Sequence, residues 1–299
     1  MSSVVDQIRE DCAWVAARAD HVRINHDRIP AYAAGLPRPA PEAASGKPDD
    51  RPREAAFWLT MDAINFGSGW FPTLRKSVRR SGYFTIHDGL RKRFQAKGPW
   101  TPGDLAELKA GEIAQTLNQD PEHELMALFA KSLNDLGSHL IADCGGCFEA
   151  VIGESAVELV ERLAAWECFA DTSAYQGLQI PFLKRAQIFA ADLARNHLAP
   201  YSDMHHLTMF ADNLVPHVLR LDGVLEFDPQ LTARIERQEL IEHGSPEEVE
   251  IRAGAVHAVE LITKITGRSA VELDQVLWER GARPEYKARP RHRSRCTAY

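Results

Sequence analysis

The sequence contains no apolar run near the ~18–20 residues that a membrane-spanning helix needs, so no membrane partner is expected. Its N-terminus, MSSVVDQIREDCAWVAARAD, carries acids early and has no apolar core, which excludes a secretory signal peptide and points to a cytoplasmic protein. Basic residues are in deficit: 35 Lys and Arg face 42 Asp and Glu, for a formal net charge of −7. A duplex nucleic-acid binder usually carries a basic stripe that displaces counterions. Here the basic runs are short, at Arg75–Arg80, Arg91–Arg93 and in the tail Arg289–Arg295, and read as solvated faces. A stable nucleic-acid complex is therefore not expected. Cysteines are few, five in all, and their odd, scattered placement argues for free thiols. Cys144-Gly-Gly-Cys147 has C-x-x-C spacing, but no second such pair or nearby H-x-x-H completes a zinc site, so no metal is assigned. Strand signals are also scarce. Gly82–Ile86 is the best candidate, which predicts a mainly α fold with a small β element near 70–90.

What is present is helical. An apolar fraction of 44% and a charged fraction of 26% are ordinary for a globular chain and exclude disorder over most of its length. The 299 residues read as one domain: N-terminal helices and a Pro/Gly/Asp-rich linker (37–52) within 1–52, a helical layer over 53–170 and a second over 171–299. Val4, Ile8, Cys12 and Val15 share one face at helical spacing. Helix starts are marked by Thr101 with Pro102 and Asp104, by Ser245-Pro246-Glu247-Glu248, and by Ser269. Further helices are expected over 122–143, 154–168, 182–197, 204–222 with Pro216 inside it, and 228–243.

The densest mixing of polar and apolar residues lies at 180–220. Lys184 follows a tight connection and opens a helix, a place suited to an anion or an electrophilic carbon. A surface lysine is the plain alternative. Asp203 sits where the next helix is expected to begin, and orphan backbone N–H groups there favour a carboxylate. It reads equally well as a simple N-cap. Asp212 lies about two and a half turns further on. His205 and His206 offer donors for a phosphate.

These segments carry a specific resemblance. Phe182-Leu183-Lys184-Arg185-Ala186-Gln187-Ile188, Asp203 with Leu207-Thr208-Met209-Phe210-Ala211-Asp212, and Glu250-Ile251-Arg252-Ala253 are similar, in that order, to segments of the queuosine salvage family. So are Leu273-Asp274 with Trp278, the tail His292–Cys296 with Tyr299, and Met61-Asp62-Ala63-Ile64-Asn65-Phe66 near the N-terminus. The resemblance implies a helical fold similar to helix-hairpin-helix DNA glycosylases. It also implies hydrolysis of the N-glycosidic bond of queuosine 5′-phosphate to release queuine, without a cofactor.

Such a reaction builds positive charge on the ribose, which a fixed carboxylate stabilises while orienting water. Asp203 is the first choice for that carboxylate and Asp212 the second. Lys184 is expected to hold an oxygen of the substrate or tune the acid, with a Schiff-base role as the lesser alternative. Queuine is a 7-deazaguanine with a cationic side arm, so its pocket wants acids and aromatic faces. Asp274, Trp278 and Glu279 fit that need, with Phe210 and Phe66 as stacking partners and Asp62 and Asn65 beside them. Arg185, Arg220, His205 and His206 are the candidates for the 5′-phosphate. A glycosylase acting on nucleic acid and a non-catalytic binder of queuine or a modified nucleotide are the competing readings. The oligomeric state is left open.

Overall fold

The computed structural model describes residues 2–38, 50–76 and 80–299. Residues 39–49 of the expected linker lie outside the described residues. The first half of the chain runs α1 (Val4–Ala16), β1 (Val22–Ile24), α2 (Ile29–Gly35), α3 (Arg51–Ala63), α4 (Gly82–Lys97), α5 (Pro102–Ala106), α6 (Ala110–Leu117), α7 (Glu124–Cys144) and α8 (Ala156–Ala164). The second half runs β2 (Thr172–Tyr175), β3 (Leu178–Pro181), α9 (Lys184–Arg195), α10 (Leu214–Leu221), β4 (Leu225–Phe227), α11 (Pro229–Glu236), α12 (Pro246–Thr266), α13 (Ala270–Gly281) and α14 (Pro284–Lys287).

The fold is mainly α, and the capping chemistry sets its helix starts. Ser245 accepts from the Glu248 N–H with Pro246 in the first turn, Ser269 accepts from Glu272, and Thr101 with Asp104 forms a reciprocal capping box. The β content is small, and among the described residues none of it lies near 70–90. It consists of two antiparallel pairs, β1 with β4 and β2 with β3. Gly82–Ile86 is instead the first turn of α4, because Ser81 caps it through the Phe84 N–H. Ile86, Leu90 and Phe94, four residues apart, then form its buried stripe. Local β-propensity thus loses to a cap and a helical core face.

Two expected helices are shorter than their sequence pattern. Over 204–222 the chain makes a single 3-10 turn at Met204–His206, then runs without helix until α10 begins at Leu214. Pro216 falls in the first turn of α10, where its missing N–H has no intrahelical partner to lose. The helix expected at 228–243 ends at Glu236.

One buried apolar core extends from Val5 to Tyr286. At its centre α12, buried on most of its surface, packs against α1, α2, α10 and α13. α3 lies against α9, and α7 against α5 and α6. The break Gly67-Ser68-Gly69 brings the C-terminal segment onto the end of α3. Gly67 adopts φ +98° and donates its N–H to the Tyr299 carbonyl at 2.9 Å. A Cβ at residue 69 would lie 2.4 Å from the Ser294 carbonyl oxygen, so only glycine permits this approach.

Candidate active site

Where α3, α4, α9, α13 and the C-terminal segment meet, they enclose a cavity of about 440 Å³, within the ~300–1,000 Å³ usual for small-molecule sites. Lys184 enters from the first residue of α9. The chain leaves β3 and reverses through Leu183 at φ +50°, a left-handed conformation that non-glycine residues rarely adopt. Asp171 holds this turn: its carbonyl accepts from Phe182 and Leu183, and its carboxylate accepts the Lys184 N–H at 3.0 Å. The Lys184 side chain is buried and donates through Nζ to the Asn65 carbonyl at 3.0 Å. Burial lowers its pKa, while the charges of Asp212 and Asp62 oppose the fall.

Facing it is a tight turn in which the Asp212 N–H donates to the Phe210 carbonyl at 2.7 Å. Both Phe210 and Asp212 line the cavity. Asp212 Oδ1 accepts the first-turn amides of α10, from Leu214 at 2.7 Å and Val215 at 3.3 Å. No described residue donates to its Oδ2. The carboxylate is therefore fixed by one oxygen and free at the other.

Asp274 on α13 shares this arrangement. Its Oδ1 accepts the Phe210 N–H at 3.0 Å. Burial and then the neighbouring Asp212 charge push its pKa up to about 7, against the pull of the Phe210 N–H. Trp278, one turn along α13, lines the same wall.

Lys184, Ile188, Asp192 and Arg195 form one face of α9, and all line the cavity. Burial pushes Asp192 up to about 6, although Arg195 lies 3.3 Å from it. Asn65 and Phe66 line the wall beyond α3. Asp62 sits out of the lining, fully buried, and accepts from Asn65 Nδ2 at 3.2 Å. Burial, then the Asp192 charge, raise it well above the usual carboxylate range.

The lining also carries the cations Arg80, Lys287, Arg289 and Arg291; burial lowers the pKa of Arg291, and the nearby Asp212 charge opposes the fall. Arg80 pairs with Asp88, and Arg289 with Glu236 at 2.8 Å. Arg291 has no ion-pair partner among the described residues. The tail that carries Lys287, Arg289 and Arg291 is pinned by its own carbonyls: Tyr286 O accepts from His217 Nε2, Pro290 O from Arg220, and His292 O from Asn213. His217 donates as a neutral imidazole, since burial pushes its pKa down to about 4.

The cavity thus brings together Lys184, Asp212, Phe210, Asp274, Trp278, Asn65 and Phe66, with Asp62 directly behind. It leaves out several residues expected from the sequence. Asp203 caps α8: Ser155 Oγ donates to its Oδ2 at 2.6 Å, Ala156 N–H to Oδ1 at 2.9 Å and Val157 N–H to Oδ2 at 3.2 Å. Its partial burial is outweighed by these donors, which hold its pKa below the usual value. Both oxygens are occupied, and Asp203 is not among the residues that line the cavity. His205 and His206 lie exposed on the 3-10 turn, ring against ring. Arg185 is buried behind α3, donating to the Ala63 carbonyl at 2.6 Å with its guanidinium over Phe66. Arg220 holds the tail and does not line the cavity. Glu279 is exposed and accepts from Gln275, because five residues of helix turn it about 140° away from Asp274.

Asp192, Arg195, Tyr83, His217 and the cations of the tail were not anticipated. The α9 residues had a readable signal, the face that continues from Lys184 at spacings of four, four and three. The tail had none, because its role depends on long-range pinning.

Comparison with known proteins matches residues 46–299 to the family described as queuosine salvage protein. Among curated relatives, one from Sphaerobacter thermophilus is 34% identical over 84% of this chain and 83% of its own length. One from Mus musculus is 32% identical over 97% and 98%, and one from Dictyostelium discoideum is 28% identical over 98% of each. All three carry the name queuosine 5′-phosphate N-glycosylase/hydrolase. With a cavity that sets a half-anchored carboxylate beside a buried lysine, and a match that covers most of its length, this chain belongs to the queuosine salvage protein family.

Proposed function

We propose that this chain hydrolyses the N-glycosidic bond of queuosine 5′-phosphate, releasing queuine and ribose 5-phosphate. The observation that carries the reading is Asp212, anchored through Oδ1 and open through Oδ2, in a cavity that also holds Lys184 and Asp274. As the bond from C1′ to the base lengthens, its electron pair leaves with the base and positive charge develops on the ribose. Asp212 Oδ2 stabilises that charge, orients a water toward C1′ and takes its proton, while the departing base anion gains a proton from solvent and leaves as queuine with a neutral ring. Lys184 sets a positive charge near the carboxylate and offers N–H donors to the sugar. Asp274, with a pKa of about 7, exchanges a proton near neutrality and supplies a donor or an acceptor to the edge of the base. A base without N7 cannot be activated by protonation there, so such an edge contact has to carry the activation. Phe210 and Trp278 supply apolar faces for the ring. Arg291, with Arg289 and Lys287 at the rim, takes the 5′-phosphate.

The net charge of −7 supports action on a free nucleotide over a glycosylase role on tRNA or DNA. The test is base release from queuosine 5′-phosphate, followed by chromatography. Asp212→Asn should lower kcat by about 100-fold or more while still binding substrate. Turnover of Asp212→Asn at the wild-type rate would remove Asp212 from the chemistry. No base release by the wild type would reject the function.

A further inference from the structure

Lys184 and Asp212 come from separate parts of the chain, and one buried side chain touches the backbone support of both. Arg252, on α12, has no exposed surface. Its Nη2 donates to Asp171 Oδ2 at 2.7 Å, and that same oxygen accepts the Lys184 N–H at 3.0 Å. Its Nε donates to the Ala211 carbonyl at 2.9 Å, at the centre of the turn that presents Phe210 and Asp212. The guanidinium carbon lies 4.0 Å from the Phe182 ring centroid and 4.7 Å from that of Tyr299, a cavity-lining residue. Glu248, one turn back on α12, stands 3.6 Å from Nη1 and supplies the second counter-charge.

We infer that Arg252 is a positioning residue whose guanidinium fixes the spacing between Lys184 and Asp212 by gripping Asp171 and the Ala211 carbonyl at once. This rests on the reading of Lys184 and Asp212 as the reacting pair. A planar fork with five donors in fixed directions holds two acceptors at a set separation. A lysine ammonium keeps the charge but is a single point on a flexible stem. Plain structural support would need only the buried charge pairing. Positioning needs the geometry as well, and the two requirements can be separated by experiment.

Arg252→Lys retains the charge and loses the fork. Glu248→Gln removes one counter-charge while leaving both gripping contacts. Both variants should lower Tm. With each assayed at a temperature where it is folded by circular dichroism, Arg252→Lys should lower kcat by about 10- to 100-fold with KM changed less than about threefold, because a small misplacement acts on the chemical step. Glu248→Gln should keep kcat within about twofold of wild type, the pattern expected when only stability is touched. Wild-type kcat in folded Arg252→Lys, or equal kcat losses in both variants, overturns the inference. Should Arg252→Lys not fold, Asp171→Asn carries the test: it loosens the same grip at the Lys184 end and should show the same fall in kcat, and wild-type kcat there overturns the inference. The underlying reading is judged separately by Lys184→Met and Asp212→Asn. If those two retain turnover, the reacting pair is wrong. If they lose it while Arg252→Lys does not, only the positioning role fails.

Discussion

Replacing Asp203 by alanine should weaken the fold and leave catalysis alone. The carboxylate accepts from Ser155 Oγ, Ala156 N–H and Val157 N–H at the positive end of α8. Loss of a helix cap costs about 1–2 kcal/mol, and hydrogen bonds to a charged acceptor are worth about 1.5–3 kcal/mol each when well shielded. Asp203 is only partly buried, so the lower end applies. Ser155 still caps through the Glu158 N–H at 3.1 Å, which limits the loss further. A total near 2 kcal/mol follows. With an unfolding entropy of about 2.1 cal/mol/K per residue over 299 residues, Tm should fall by roughly 3 °C. The loss should also depend on pH. The folded pKa of Asp203 is depressed, so its contribution is full above the ordinary carboxylate value of 3.8 and is lost as pH falls through the folded pKa. Urea unfolding at pH 7 and at pH 3, beside kcat for queuosine 5′-phosphate, makes the measurement. A large drop in kcat with unchanged stability would show that Asp203 acts in the chemistry and that the capping argument is wrong.

Two further outcomes follow from the cavity. Arg291→Ala should raise KM for the 5′-nucleotide by about 10- to 100-fold, the worth of one charge-assisted contact of ~1.5–3 kcal/mol, and should leave KM for the nucleoside nearly unchanged. An equal loss on both substrates would place Arg291 away from the phosphate. Asp274→Asn should gain stability relative to wild type as pH rises from 5 to 8. The folded pKa of about 7 lies above the ordinary 3.8, so wild type holds this proton more tightly when folded and loses stability as pH climbs through that range, whereas the amide does not titrate. Parallel urea midpoints for the two proteins at both pH values would contradict the assignment.

The helix starts were legible because caps are local. Ser245, Ser269 and Thr101 each bond a backbone N–H three residues on, and that chemistry is written in consecutive residues. Lys184 was legible for the same reason, as a cation at the first residue of a helix after a tight connection. The sequence ranking of Asp203 over Asp212 had little to stand on, since each is an aspartate ahead of an apolar segment with a helix-like pattern. Each does meet helix amides. Asp212 meets those two and three residues ahead of it. Asp203 meets those of a helix that begins 47 residues earlier. The expectation that helix amides would fix an aspartate was sound, and the choice between the two depended on a contact distant in sequence. The tail reads as basic and solvated, and Lys287, Arg289 and Arg295 are indeed exposed; that Arg291 lines the cavity depends on the distant donors that fasten the tail's carbonyls. Of the two β pairs, β2 with β3 is a local hairpin whose Gln176-Gly177 turn is a readable signal that the sequence reading missed, whereas β1 with β4 left no local pattern. Three residues at Val22–Ile24 find partners at Leu225–Phe227 across most of the chain.

The charge balance of the cavity ties these residues into one argument. Asp212, Asp274 and Asp192 line it and Asp62 lies behind, against Lys184 and Arg195 on the same side. Carboxylates outnumber the cations there, and burial raises Asp62, Asp192 and Asp274, which favours their protonated forms. A ligand bringing positive charge can replace those protons. On the proposed reading the substrate does so twice, through the ammonium of its side arm and through the charge that grows on the ribose at the transition state. On the same reading the phosphate, of opposite sign, goes to Arg291, which lines the cavity and has no carboxylate within ion-pair distance among the described residues. On the proposed reading, a cavity lined by both Asp212 and Arg291 takes a molecule that is cationic at one end and anionic at the other, with the bond to be cut beside Asp212.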